Sequence, residues 1–301
     1  MNPLFMLAMD QRLWLKEAVF GTTELTTAQT EELVAIKELI ADGAIRAIRD
    51  HGVDPAAAAV LVDEELGGES PARIKDAGLQ LSMALEKSQP SVYEEEPRSV
   101  SGELLAAHRP HIPKVLVRYN PAAADDIARK QLLDLKSTSD RVRQSGAPLL
   151  VEIIVPPTPE QLSDMGSTER FDAELLPDLT LTAIDHIKET GARVDLWKLE
   201  GMPDAERFAA LLQRCRAGVE HPVDAVVLGK NAEEDVVNGW LRDAAEAGFV
   251  GFAIGRSIWW EAVQNFRAHR ISRDDAADAI ARTYAGYCSL MTEALGFPAL
   301  P

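Results

Sequence analysis

The sequence is poor in cysteine, in aromatic residues, in basic charge and in long apolar runs, and each scarcity excludes something. Its two cysteines, Cys215 and Cys288, stand far apart in 301 residues and without metal-ligand spacing. A disulfide framework is therefore not expected, and a reducing cytoplasm is the compartment the chain suits. No uninterrupted apolar stretch nears the roughly 18 residues of a membrane-crossing helix. The first ten residues carry no basic leader region and no cleavage motif, and they run straight into an apolar segment. The expectation is a soluble cytoplasmic protein. Lys and Arg number 31 against 48 Asp and Glu, a formal net charge of −17. An acid excess argues against a nucleic-acid surface, which needs clustered cations. Neither nucleic acid nor a membrane is an expected partner.

Several chemical signatures are missing too. There is no HExxH, no GxSxG elbow, and no Gly-rich dinucleotide turn after the first apolar run. The histidines, His51, His108, His111, His186, His221 and His269, fall mostly in expected helices or loops. His108 and His111 precede the fourth strand, on the side of a barrel away from catalysis. A zinc site would want histidines at strand ends, and none is there. Asp10, Asp63 and Glu64 have the oxygen chemistry that Mg²⁺ prefers, a minor alternative. No metal and no cofactor are expected.

What the sequence has is rhythm. A short apolar run followed by a helical stretch recurs eight times. The predicted strands are Leu4–Met9, Ala59–Asp63, Leu79–Leu85, Lys114–Arg118, Leu149–Val155, Val194–Leu199, Ala225–Leu228 and Phe249–Ile254. Predicted helices include Ala122–Ser145, Pro177–Thr190 with Gly191 as its stop, Asp204–Arg216, Ala232–Ala247 and Asp274–Leu295. Eight strand–helix units without hairpin signals predict a parallel sheet closed into a (β/α)8 TIM barrel, α/β in class, spanning residues 1–301 as one domain. An open doubly wound sheet is the competing architecture. The stretches Gln89–Arg109 and Pro156–Phe171 are longer than a plain barrel needs and follow strands three and five, where they serve either as lids or as ordinary loops. Trp259, Trp260, Phe266 and Tyr284 suit either a partner subunit, as in a homo-oligomer, or the core.

A barrel interior is apolar except at its site, so charges on strands are the informative positions. Alternation along Val194–Glu200 puts Lys198 with Leu196 on the inner face and Trp197 with Leu199 on the outer face. A buried ammonium is costly unless paired or neutral. Lys198 is then either half of an ion pair with Glu152 or Glu200, or an amine of lowered pKa able to form an iminium with a ketone, with Lys114 and Arg118 as the neighbouring cations. Glu152, one strand over, and Asp10, at the barrel mouth, are candidate acid/base groups. A raised carboxyl pKa would suit that work. Glu152 serves equally as a plain counter-ion. After strands seven and eight stand Gly229–Lys230–Asn231 and Gly255–Arg256–Ser257, two glycine–cation pairs in equivalent places. Such loops favour phosphate or another tetrahedral oxyanion.

Five phrases carry a family resemblance: Leu7–Arg12 (LAMDQR), Leu61–Gly67 (LVDEELG), Lys114–Tyr119 (KVLVRY), Val151–Ile153 (VEI) and Trp197–Glu200 (WKLE), with Gly255–Arg256 beyond them. Together they resemble the class I, Schiff-base aldolases of the (β/α)8 type. The nearest branches are tagatose-bisphosphate aldolase and the aldolase-like group of myo-inositol catabolism (5-dehydro-2-deoxyphosphogluconate aldolase, DUF2090-type). The resemblance implies that Lys198 forms the Schiff base, that Glu152 is the acid/base, and that Lys114 polarises substrate. It further implies that Asp10 contacts substrate hydroxyls or the lysine and that Gly229, Gly255 and Arg256 hold phosphate; Arg12, Arg118, Lys230 and Ser257 complete the expected substrate- and phosphate-binding set. The tagatose-type pattern has a tyrosine where this chain has Arg118. An extra cation there favours an acidic substrate, which points to 5-dehydro-2-deoxy-6-phosphogluconate and its cleavage to dihydroxyacetone phosphate and malonic semialdehyde. Tagatose bisphosphate and a sulfofructose phosphate are alternatives. So are a dehydratase or isomerase using the same lysine, and a non-catalytic sugar-phosphate-binding regulator on the same scaffold.

Overall fold

Eight parallel strands pair in sequence order, β1 to β8, and close on themselves as a (β/α)8 barrel. They are β1 (Leu4–Ala8), β2 (Ala58–Val62), β3 (Gln80–Ala84), β4 (Ile112–Arg118), β5 (Leu150–Ile154), β6 (Leu196–Leu199), β7 (Asp224–Leu228) and β8 (Gly251–Ile254). The computed structural model describes residues 2–88, 92–123, 125–230 and 232–297. All eight predicted strands are present, each within two residues of its expected ends. The open doubly wound sheet is excluded by the pairing of β1 with β8.

Helices clothe the outside. After β1 come α1 (Leu13–Phe20) and α2 (Thr27–His51), after β2 α3 (Ser70–Asp76), and after β3 α4 (Pro97–Val100) and α5 (Glu103–His108). β4 leads to α6 (Asp126–Ser145). β5 leads to α7 (Pro159–Met165), α8 (Thr168–Glu174) and α9 (Leu176–Glu189). α10 (Ala205–Arg216) follows β6, α11 (Glu234–Glu246) follows β7, and α12 (Arg256–Arg267) and α13 (Arg273–Ala294) follow β8. The sequence explains their ends. Thr26 and Ser272 form capping boxes with Gln29 and Asp275, and Asp204 caps α10 through the Arg207 amide.

The two long stretches read as loops are partly helical. The described part of Gln89–Arg109 holds α4 and α5, and Pro156–Phe171 holds α7 and the start of α8. Gln89, Pro90 and Ser91 lie outside the described residues. Helices this short bury too narrow a stripe to leave a periodic signal. Trp259 and Tyr284 are fully buried, while Trp260 and Phe266 pack on the same core, so this aromatic set belongs to the packing of α12 and α13.

The strands sort their side chains by parity. Leu4, Met6, Ala8, Ala59, Leu61, Ile112, Leu150, Leu196, Val226 and Ala253 fill the barrel interior as one cluster. The alternate residues, among them Val115, Val117, Val151, Ile153, Trp197 and Leu199, join the larger layer between sheet and helices. On β4 the inward set continues through Lys114 to Arg118, on β5 through Glu152, and on β6 through Lys198. The apolar plug therefore gives way to charge as the strands approach their C-terminal ends.

Candidate active site

At that C-terminal mouth lies a cavity of about 440 Å³. Asp10, Arg12, Lys114, Arg118, Glu152, Lys198, Gly229, Lys230, Gly255, Arg256 and Ser257 all line it. The eleven positions singled out from the sequence thus converge on one pocket.

Its floor is a chain of alternating charges. The β5–β6 register sets Glu152 directly opposite Lys198. Lys198 Nζ lies 2.9 Å from Glu152 Oε1, and Glu152 Oε2 lies 3.0 Å from Lys114 Nζ. Lys114 in turn donates to Asp10 Oδ2 at 2.8 Å and to Glu86 Oε1 at 2.7 Å. All five groups are almost sealed from solvent. Glu200, the other partner considered for Lys198, instead faces Lys230 at 3.2 Å and accepts the Val155 amide at 3.0 Å.

Burial alone would push the carboxyls up and the ammonium of Lys114 down. Around Lys114 the charges win: burial is outweighed by Asp10, Glu152 and Glu86, and its pKa rises well above the ordinary lysine value. For Asp10 and Glu152 burial likewise raises the pKa, but Lys114 and then Lys198 outweigh it, and both carboxyls sit below their ordinary range. The raised carboxyl pKa that would suit acid/base work is therefore not found at Glu152, which is held ionised between two ammonium groups. Lys114 also does not act as a free cation beside Lys198, because three carboxylates surround it. Glu86 is the carboxyl that goes up, since burial prevails there over Lys114 and Arg12. Its Oε2 is buried without a hydrogen-bond partner among the described residues. The sequence reading missed Glu86; the available signal was an acid immediately after an apolar strand end.

The cations of the pocket divide into two kinds. Lys114 and Lys230 are matched by carboxylates, Lys230 also by Asp172 at 2.6 Å. Lys230 adopts a positive φ of 46°, a conformation that costs a non-glycine residue about 1 kcal/mol. Arg12 is anchored by Glu96 at 3.0 Å and by the Glu86 carbonyl at 2.6 Å. Among the described residues, Arg118 and Arg256 have no carboxylate partner, and Arg118 Nε is buried without an acceptor. They stand on β4 and just past β8, on opposite sides of the closed barrel.

Gly255 closes the wall between β8 and β1. A Cβ there would lie 2.5 Å from the Ala8 carbonyl oxygen, so glycine is required by close approach rather than by φ. Gly255 caps α12, and Arg256 and Ser257 form its first turn. The free amides of that turn face the pocket end of the helix, an arrangement that favours anions. Asn231 lies outside the described residues.

The remaining carboxylates considered for Mg²⁺ do not meet. Asp63 is fully buried but turned outward to an ion pair with Lys37 of α2, and it accepts the Leu66 amide at 2.8 Å. Glu64 binds Arg98 and, at 3.0 Å, His108. Among the described residues no cluster of three or more His, Cys, Asp or Glu has metal-binding geometry. No helix among them is long and apolar enough to cross a membrane.

An eight-stranded α/β barrel with a buried lysine–carboxylate chain at its C-terminal mouth defines the class of fold and pocket. The chain belongs to the family described as "Uncharacterized protein conserved in bacteria (DUF2090)", which it matches over residues 1–294. Its fold is similar to that of fructose-bisphosphate aldolase from Plasmodium falciparum, at 11% identity and a TM-score of 0.68, over 99% of this chain and 92% of that one. An archaeal fructose 1,6-bisphosphate aldolase is similar at 15% identity and a TM-score of 0.56, over 95% and 94%. Fructose-bisphosphate aldolase from Slackia heliotrinireducens is similar at 13% identity and 0.57, over 92% and 85%. At these identities the likeness is one of fold. No curated protein matches the chain.

Proposed function

We propose that the protein is a class I aldolase, a metal-independent lyase whose Lys198 forms a Schiff base with a phosphorylated keto-sugar. The observation that carries this reading is the contrast between the two pocket lysines. Lys114 is held protonated by three carboxylates and serves as a fixed cation. Among the described residues Lys198 forms an ion pair with one carboxylate, Glu152, which is ionised and within 2.9 Å to take its proton. Proton transfer to Glu152 frees the amine to attack the ketone carbon. Glu152 returns that proton to the carbinolamine hydroxyl, which leaves as water and gives the iminium, with Glu152 again a carboxylate.

The iminium is the electron sink for breaking the bond between the carbon next to it and the following hydroxyl-bearing carbon. Glu152 or Asp10 takes the hydroxyl proton, the aldehyde leaves, and the enamine is reprotonated before hydrolysis releases the ketone. Lys114 stabilises negative charge developing on the substrate oxygens. The phosphate sits at the first turn of α12, on Gly229, Gly255, Arg256 and Ser257. Arg118, across the barrel and without a carboxylate partner among the described residues, accepts a second anionic group. A carboxylate at the far end of the substrate suits a single guanidinium, which favours 5-dehydro-2-deoxy-6-phosphogluconate, cleaved to dihydroxyacetone phosphate and malonic semialdehyde.

Borohydride reduction in the presence of dihydroxyacetone phosphate, read by peptide mass spectrometry, tests the reading. The expected result is an adduct on Lys198 that disappears in Lys198→Ala, with condensation onto malonic semialdehyde in the absence of reductant. Phosphate binding without an adduct would leave a sugar-phosphate-binding regulator or a non-imine enzyme. An adduct without carbon–carbon bond chemistry would favour a dehydratase or isomerase.

A further inference from the structure

Arg256 is a half-buried cation held by an aromatic ring. Its guanidinium carbon lies 4.7 Å from the centroid of the Trp14 ring. Burial is what acts on its pKa, downward, and no carboxylate among the described residues pairs with it. Glu17, one turn on from Trp14 in α1, lines the same pocket but makes no ion pair with Arg256. Trp14 is itself fixed. It meets Trp260 edge-on with centroids 4.8 Å apart and Trp259 at 6.2 Å. Trp259 Nε1 donates to the Ala8 carbonyl at 3.0 Å, tying α12 back to β1 beside Gly255.

A carboxylate and an indole both orient a guanidinium, but with opposite consequences for an anionic ligand. A carboxylate occupies the N–H groups and repels phosphate. An indole attracts the cation through its face and leaves both the net charge and the in-plane N–H groups intact. Arg12, Lys114 and Lys230 of this pocket are held in the first way, by Glu96, Asp10 and Asp172. We infer that Trp14 is a positioning residue of the anion site: its ring holds the Arg256 guanidinium at the pocket wall without neutralising it, so that the phosphate of the substrate supplies the missing negative charge. The inference rests on the phosphate-binding part of the reading above and is independent of the Schiff base.

The test titrates inorganic phosphate by calorimetry at low ionic strength into wild type, Arg256→Ala, Trp14→Leu and Trp14→Phe, with tryptophan emission recorded in parallel. Wild type is expected to bind and Arg256→Ala to lose binding. Trp14→Leu should bind roughly two- to thirtyfold more weakly, the span of a cation–π contact from exposed to desolvated. Trp14→Phe, which keeps a ring face, should stay within about threefold of wild type. The phosphate-dependent change in emission should vanish in Trp14→Phe although phosphate still binds. Wild-type affinity in Trp14→Leu, with Arg256→Ala silent, would overturn the role of Trp14 and leave the phosphate site standing. No binding by wild type, or equal binding by Arg256→Ala, would remove the phosphate site and the inference with it. Should Trp14→Leu not fold, the emission change decides: its survival in Trp14→Phe overturns the inference.

Discussion

Glu152 and Lys198 face each other across the β5–β6 ladder, and their charged atoms lie 2.9 Å apart at the point where the barrel's apolar interior ends. The other oxygen of Glu152 lies 3.0 Å from Lys114. One carboxylate therefore holds two ammonium groups of different character. One is the nucleophile of the proposed reaction and the other its fixed positive charge.

Replacing Glu152 with Gln keeps the shape and removes the base. The turnover number should fall about 10²- to 10⁴-fold, the usual contribution of a positioned acid/base group. Slow borohydride trapping on Lys198 should persist, because the amine is still present. Steady-state kinetics set beside mass spectrometry check this, and a turnover within tenfold of wild type would leave Glu152 a counter-ion only.

Glu86 should show itself in the pH dependence of stability. Its folded pKa lies above the ordinary 4.5, so the folded state favours the protonated form. The cost of ionising it is absent below pH 4.5 and grows as pH rises through the folded value. Asp10 and Glu152 have the opposite sign: their stabilisation is full above the ordinary carboxylate range and is lost only as pH falls through their depressed values. Glu86→Gln should therefore raise the melting temperature at pH 8, with the gain shrinking toward pH 4.5. Melting curves across that range decide it, and a gain independent of pH would contradict the assignment.

Gly255→Ala places a methyl 2.5 Å from the Ala8 carbonyl oxygen, where only backbone movement relieves it. The expected cost is about 1–3 kcal/mol of stability, as for other overpacked sites. Because the displaced backbone carries the first turn of α12, KM for a phosphorylated substrate should rise more than the turnover number falls. Equal stability and equal KM would show that the wall is more pliable than its packing indicates.

Asp63 separates structure from function. It follows β2 as Asp10 follows β1, yet it binds Lys37 and turns away from the pocket. Asp63→Ala strands a buried ammonium and should cost about 3–5 kcal/mol, whereas the joint change Lys37→Met with Asp63→Leu should recover much of the loss. Protein that remains folded should keep its activity. Chemical denaturation of the single and double variants, with activity measured below the transition, tests both halves.

Much of the architecture and of the candidate pocket was legible in the sequence, and the unread parts share a physical cause. Parity along a strand is local, so Lys198, Glu152, Lys114 and Arg118 declared their inward direction through neighbours such as Trp197 and Leu199. Glycine–cation pairs after the last two strands were legible for the same reason. Glu86 was not, because it falls two residues past β3, where alternation stops, and its meaning comes from Lys114 on the next strand. Trp14 was equally silent: nothing in Leu13–Phe20 says that Arg256, some 240 residues on, will rest on its ring. The short helices pack mainly on one another, α4 on α5 and α7 on α8, with α8 also on α9, and none is long enough to show a periodic stripe.

The sequence by itself determined the eight strand–helix units, the inward face of each strand and the convergence of charge at one end, since all of these follow from side-chain spacing along the backbone. Only the tertiary structure decided which carboxylate each cation meets, and hence the direction in which the pKa values of Lys114, Asp10, Glu152 and Glu86 move. It set Glu152 as an ionised bridge between Lys198 and Lys114, sent Asp63 out to Lys37, and left Arg118 and Arg256 without carboxylate partners among the described residues. Coulombic energy depends on distances of a few ångströms between strands remote in sequence, and closure of the barrel sets those distances.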